Sequence, residues 1–216
     1  MANKTNQTKR LALTGVMLAL AVILSFLKVF EAPFGGSVTA CSMLPIMVIG
    51  YTYGVKWGML AGVTDGVLQA IFGATMTGAY ASQNVVGIVL ITCIDYLLAF
   101  SVLGLAGLFK GKLKNHTVSF SLGIVVASLI RLLCHFTSGC ILYGQWARWF
   151  FEEQFVNAFS QKLLAAGSEE LLIVMYSLIY NAAYMVPETI ITVVAGALLI
   201  SLVPPVRKEM TRSNAQ

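Results

Sequence analysis

Charge is scarce in this chain of 216 residues: charged side chains make up 11% and hydrophobic ones 58%, against about 25% and about 45–50% in soluble domains. The deficit excludes an ordinary water-soluble globule. The basic residues also fail to form a patch. They fall in short clusters at Lys4/Lys9/Arg10, Lys56, Lys110/Lys112/Lys114 and Arg207/Lys208/Arg212, between apolar runs. The net charge of +5 therefore reads as membrane topology and not as a nucleic-acid surface. Cysteine is sparse, and Cys41, Cys93, Cys134 and Cys140 make no C-x-x-C pair, which argues against a zinc site or a disulfide framework. H-E-x-x-H, paired metal ligands and a G-x-x-x-x-G-K-S/T phosphate loop are all missing, so neither metalloprotease nor ATPase chemistry is expected. The nearest approach to catalytic equipment, His135 with Ser138 and Cys140, lacks a nucleophile-elbow setting. An enzyme is not expected.

What the chain has in abundance is apolar sequence in blocks. A helix needs about 20 mostly apolar residues to cross a bilayer, and the blocks predict an all-α integral membrane protein, a single domain over 1–216 with six transmembrane helices. The spans fall near 10–30, 41–55, 57–73, 84–109, 118–143 and 172–204. Breaks fall at the segment from Glu31 through Pro33 to Gly36, at Tyr53-Gly54, from Gly73 to Gly78, from Lys110 to His116, and over a long polar segment, 144–171. The run from Leu11 to Phe30 is a full span and too long for a secretory signal core. The cysteine of Val38-Thr39-Ala40-Cys41 stands apart from it, so no processed lipoprotein is expected.

With both termini in the cytoplasm, the Lys56 turn, the 110–116 loop and the C-terminal tail share that side and hold most of the positive charge. The segments 31–40, 74–83 and 144–171 then lie outside. Asn3, Asn6 and Asn115 match N-x-T but fall on the inner side, where they are not glycosylation sites. The 144–171 segment interleaves Trp146, Trp149, Phe150, Phe151, Phe155 and Phe159 with charges, a pattern that fits either an interfacial amphipathic helix or an irregular lid loop. No internal repeat of the kind many secondary transporters carry is apparent.

Ionisable groups inside spans mark sites by default, and here they are Asp65, Asp95, Arg131, His135 and Glu188. At about 1.5 Å per residue, Asp95 and Arg131 lie roughly 21–23 Å from the inner boundary on consecutive antiparallel helices, with His135 and Glu188 about 28 Å up. Helical spacing places Arg131, His135 and Gly139 on one stripe with Tyr143 near it. It also aligns Tyr176, Tyr180, Tyr184 and Glu188 with Asn181 beside them, and Asn84 with Ile91 and Asp95. Blander readings remain open: Asp95 and Arg131 as a structural ion pair, Asp65 as structural, the tyrosines as packing. Three carboxylates against one arginine leave a surplus of two negative charges, which suits a cationic aromatic ligand held by ion pairing, stacking and cation–π contact.

The ordered run Asp95-Tyr96-Leu97-Leu98-Ala99-Phe100, Gly104-Leu105-Ala106-Gly107-Leu108-Phe109, His135-Phe136-Thr137-Ser138-Gly139 with Gln145, and Tyr176-Ser177-Leu178-Ile179-Tyr180-Asn181 resembles the thiamine-specific S components of energy-coupling factor (ECF) transporters over nearly the whole chain. The resemblance implies an S-component-like bundle in a bacterial plasma membrane. It would capture thiamine from outside and hand it to one transmembrane coupling subunit and two ATPases, with no cofactor of its own. It further implies substrate-binding roles for Asp95, Tyr96, His135, Tyr143, Tyr176 and Asn181. The residues themselves add Asn84, Tyr180 and Glu188 as candidates. Docking of the first helix on the coupling subunit would use a small-x-x-x-small pattern, for which Gly15 and Ala19 are the candidates. The chain departs from the pattern in having Asp95 where some members carry glutamate, Tyr143 where a tryptophan stacks, glycines at 35 and 36 in place of a tryptophan, and a longer segment from Trp146 to Glu170. An S component for a related cationic vitamin precursor and a self-sufficient secondary transporter are the alternatives.

The charge distribution sets a test of topology. A single cysteine introduced within 110–116 should react with an impermeant maleimide only from the inside, and one within 144–170 only from the outside. The reverse labelling pattern would put the polar residues in the wrong half of the membrane.

Overall fold

Within lipid a backbone can satisfy its own hydrogen bonds only as a helix or a closed barrel. The structure, a computed structural model describing residues 2–32, 35–76, 78–81 and 83–211, is helical accordingly. In chain order the helices are α1 (Ala2–Phe26), α2 (Leu44–Tyr53), α3 (Val55–Met76), α4 (Val85–Gly107), α5 (His116–Leu142), α6 (144–154), α7 (Ala158–Ala165), α8 (Glu169–Leu202) and α9 (Pro204–Thr211). Of the features named from sequence, Pro33, Thr77 and Arg212 lie outside the described residues, as do the side chains of Asn3, Lys4 and Asn6.

Four described helices, Gln7–Phe26 within α1, α4, α5 and α8, are long and apolar enough to cross a membrane. α2 is apolar but has only 10 residues, a rise of about 15 Å. α3 has 22 residues but interrupts its apolar surface with Lys56, Asp65 and Gln69.

One boundary departs clearly from the sequence expectation. The first helix ends at Phe26 instead of running to residue 30, and the chain turns into an antiparallel hairpin of β1 (Lys28–Glu31) and β2 (Ser37–Thr39), with Phe30 opposite Val38 and Glu31 opposite Ser37. An apolar run scores alike as helix end or strand, and Val29, Val38 and Thr39 are β-branched residues that favour the strand. The polar segment after Tyr143 forms α6 and α7. Asn157 starts α7 with a capping box shared with Ser160, as N-cap asparagines do.

The centre of the bundle is a junction of glycines. The 3₁₀ turn Val102–Gly107 that ends α4 lies against α2, α3 and α5. A methyl group on Gly104 would stand 2.2 Å from the Met59 amide nitrogen, and one on Gly123 2.1 Å from the Ala106 carbonyl. Around this contact the large side chains Ile46, Met47, Tyr51, Leu103, Phe120 and Ile124 are fully enclosed. α9 closes the same end by inserting Met210 into that core. Glu209 of α9 pairs with Lys9 at 2.7 Å, and Lys110 caps the Thr52 carbonyl at 2.8 Å. Burial pushes the Lys110 ammonium below its ordinary value.

Backbones this close leave no space for a Cβ. Gly104→Ala should therefore lower stability by about 1–3 kcal/mol, read as a depressed thermal midpoint in detergent. Gly15→Ala, on a helix face with nothing within 4 Å, should leave the midpoint unchanged. Equal midpoints for the two variants would contradict the close approach.

Candidate functional site

Between the hairpin and helices α3, α4, α5 and α8 lies a cavity of about 180 Å³. Of the residues singled out from sequence, Asp95, Tyr96, His135, Tyr143, Tyr176, Tyr180, Asn181 and Glu188 line it. Asn84 does not. Its side chain accepts from the Gly87 amide at 2.8 Å and caps α4. It is 11 residues from Asp95, roughly 16 Å along the axis, so a shared helical face did not bring the two together.

Asp95 reaches the cavity from an irregular turn. Residues Thr92–Leu98 wind as a π-helix within α4, a form that recurs at functional sites. The Asp95 carboxylate is held from α5 on both oxygens. Oδ1 lies 2.9 Å from His135 Nδ1, and Oδ2 accepts from the Ser138 hydroxyl. One turn below His135, Arg131 Nε donates to His135 Nε2 at 3.2 Å. Arginine can only donate, so Nε2 is the acceptor and Nδ1 carries the proton given to Asp95. A direct Asp95–Arg131 ion pair, one of the readings left open by the sequence, is replaced by this relay through the imidazole. The Arg131 guanidinium lies over the Phe100 ring at 4.2 Å, within electrostatic reach of Asp65 and Glu188. Asp65 is 1% exposed and sits on α3 outside the cavity lining.

Much of the remaining lining is aromatic. Tyr96 is stacked between Tyr80 and Phe100. Tyr143 donates to the Ala79 carbonyl at 2.6 Å, which ties α5 to the turn before α4. Asn181 braces α5 against α8: its amide donates to the Ser177 carbonyl at 2.8 Å and the His135 carbonyl at 3.3 Å, while its oxygen accepts from the Tyr184 hydroxyl at 2.6 Å. Gly139 permits that approach, since a methyl there would stand 2.2 Å from Ser177 Oγ. Tyr176 is buried with its ring 5.2 Å from Phe150 of α6. Glu188 is fastened to the hairpin, accepting from the Thr39 amide at 2.6 Å and the Thr39 hydroxyl at 2.7 Å.

The residues that sequence reasoning missed belong to the hairpin and to α3. Gly36 donates its amide to the Tyr180 hydroxyl at 3.3 Å, and a Cβ there would meet the Tyr184 ring at 2.6 Å. Gln69 and Phe72 enter the lining from α3. No periodic signal marked them. Tyr184 stands on the α8 stripe, and Ser138 entered only beside His135 as the nearest approach to catalytic equipment; their bonds to Asn181 and Asp95 were the unread part. α6 and α7 form a roof over the N-terminal end of α8, burying Ala147, Phe151 and Leu163 against Leu172 and Tyr176. At its edge Arg148 pairs with Glu169, and that hydrogen bond raises the guanidinium above its ordinary value.

The fold and cavity define a class: a polytopic helical membrane protein that encloses a small polar and aromatic chamber around a compensated carboxylate. The comparisons with known proteins give the family. Residues 11–160 match the model of the thiamine transporter protein family, Thia_YuaJ. A Bacillus subtilis relative, the thiamine transporter ThiT, is 30% identical over 95% of this chain and 97% of its own length. A solved structure of ThiT from Listeria monocytogenes superposes with a TM-score of 0.66, covering 93% of this chain and 98% of that one at 19% identity, so the fold is shared. The chain belongs to the thiamine transporter family, whose work is transport and not catalysis.

The placement of Asn84 is open to test. Asn84→Ala should remove a helix cap, lowering stability by about 1 kcal/mol, while leaving thiamine affinity within a factor of about two. A tenfold weaker affinity in the folded variant would return Asn84 to the site.

Proposed function

We propose that this chain is the thiamine-capturing S component of an ECF transporter in a bacterial plasma membrane. In this reading six segments cross the bilayer with both termini in the cytoplasm, α2 and α3 completing the set. Thiamine enters from outside and passes to one transmembrane coupling subunit and two ATPases, which alone use ATP. The chain carries no cofactor. Gly15 and Ala19, which share an outward face of α1, are the docking positions for the coupling subunit.

The observation that carries the reading is the carboxylate of Asp95, its side chain 14% exposed, fixed by two α5 donors at the edge of a tyrosine-lined cavity. Thiamine presents a permanently charged thiazolium ring and a flat aminopyrimidine. The first suits a fixed anion with little competing water, and the second suits stacking on phenol rings. Tyr143 and Tyr180 are the stacking surfaces; Tyr96, His135, Tyr176 and Asn181 complete the wall, and Glu188 acts through the hairpin.

Equilibrium binding of thiamine to the purified subunit tests this. Asp95→Asn keeps the shape and removes the charge, and loss of one member of a buried pair costs about 2–5 kcal/mol, a loss of affinity of roughly 30-fold to several thousand-fold. Asp95→Glu keeps the charge and should bind within about one order of magnitude of the parent. Undiminished thiamine affinity in a folded Asp95→Asn protein would remove Asp95 from the site. Tighter binding of a thiamine precursor than of thiamine itself would redirect the substrate assignment.

A further inference from the structure

We propose that Arg131 is a positioning residue that commits His135 to its neutral Nδ1–H form and thereby reserves the negative charge of Asp95 for the cationic ligand. The inference rests on the thiamine reading above and adds to it a device for keeping the anion available.

A histidine beside a carboxylate ordinarily gains a proton and becomes the carboxylate's counter-ion. In that form the site would neutralise itself, and a cation entering the cavity would compete with an imidazolium already in place. The geometry opposes this outcome. An imidazolium has donors on both nitrogens and no acceptor, whereas His135 Nε2 faces the Nε–H of Arg131 at 3.2 Å. Protonation would break that bond and leave two cations at hydrogen-bond distance.

The titratable and charged groups around the ring, taken element by element, bear this out. α4 contributes Asp95 and Tyr96, and α5 contributes Arg131, Cys134 and Tyr143. α8 contributes Tyr180, Glu188 and Tyr184, the last edge-on at 6.3 Å between ring centroids. Asp65 of α3 lies beyond the guanidinium, and Lys28 of the hairpin is paired with Glu31 at 2.5 Å. Among the described residues, the ring nitrogens bond to Asp95 and Arg131.

Arg131 could act as a second cation and repel the ligand it serves. Its surroundings prevent that. Asp65 and Glu188 both act on its charge, and the Phe100 ring covers one face of the guanidinium at 4.2 Å. The arginine therefore supplies a directed donor to His135 while carboxylates act on its charge, and Asp95 keeps its own charge at the cavity wall, held by His135 and Ser138.

The test is the pH dependence of thiamine binding to the purified subunit, expressed as the ratio of dissociation constants at pH 5.5 and pH 8. The parent should show a ratio within about threefold. Arg131→Met, whatever its absolute affinity, should weaken at least about tenfold over the same interval, because an Nε2 released from Arg131 is open to a proton and the ring can then compete for Asp95. Arg131→Lys restores a donor and a charge and should return the ratio toward the parent value. A flat ratio in Arg131→Met overturns the proposal. Because that variant could fail to fold, the parent is read directly as well: in a His116→Gln background, where His135 is the remaining histidine, ¹⁵N chemical shifts should report the Nδ1–H tautomer at both pH values. The Nε2–H tautomer, or an imidazolium at pH 5.5, overturns it. If the folded parent binds no thiamine at either pH, the capture reading fails, and the nitrogen shifts still decide the role of Arg131.

Discussion

The bond from His135 to Asp95 joins α5 to α4 where an uncompensated carboxylate would cost several kcal/mol, and most of the polar interior is arranged to support it. Ser138 takes the second carboxylate oxygen. Arg131 fixes the ring that serves the first. Arg131 in turn depends on Asp65 and Glu188 for charge balance, and Glu188 on the backbone and hydroxyl of Thr39. One buried anion thus leads through hydrogen bonds to Arg131, and from Arg131 through charge alone to Glu188 and the hairpin that covers the cavity. Removing an early link leaves the later ones buried without partners, which is the expensive case for polar groups in low dielectric.

Compensation by hydrogen bonds is not compensation by charge. Asp65, Asp95 and Glu188 stand against Arg131 among the intramembrane groups, and the remaining cation near the cavity, Lys28, is committed to Glu31. Dipoles of Ser138 and Thr39 lower the energy of the anions without cancelling their field. A chamber in that condition favours a cation over a neutral solute of the same shape. The tyrosine rings add faces of negative quadrupole that act in the same direction.

Hydropathy made the long helices legible because backbone satisfaction in lipid leaves few alternatives, and α5 followed its expected limits to within about two residues. Helical periodicity likewise placed Arg131, His135 and Tyr143 on one surface and Tyr176, Tyr180 and Glu188 on another. It failed where the backbone is not α-helical or where an end intervenes. The hairpin was hidden inside an apolar run, the π turn of Thr92–Leu98 displaced Asp95 from the register of Asn84, and Asn84 itself went to the helix terminus, where asparagine is favoured for local reasons. Charge counting gathered the ionisable groups but left a direct Asp95–Arg131 pair as one open reading. Sequence depth cannot show that His135, one turn further along α5, stands between them.

The two covers of the cavity are built on different physics. α6 and α7 sit on α8 through enclosed aromatic and aliphatic side chains, Phe151 and Leu172 among them, and neither helix contributes to the cavity lining. The hairpin does contribute, through Gly35, Gly36, Ser37 and Thr39, yet its strands have four and three residues, too short to be stable alone. Its order is borrowed from Glu188 and from the Tyr180 hydroxyl, groups that belong to the same polar assembly as Asp95. A roof held by apolar packing is indifferent to the charge state below it. A cover held by hydrogen bonds to a carboxylate within reach of Arg131 is not, because the charge of that carboxylate acts directly on the bonds that hold it.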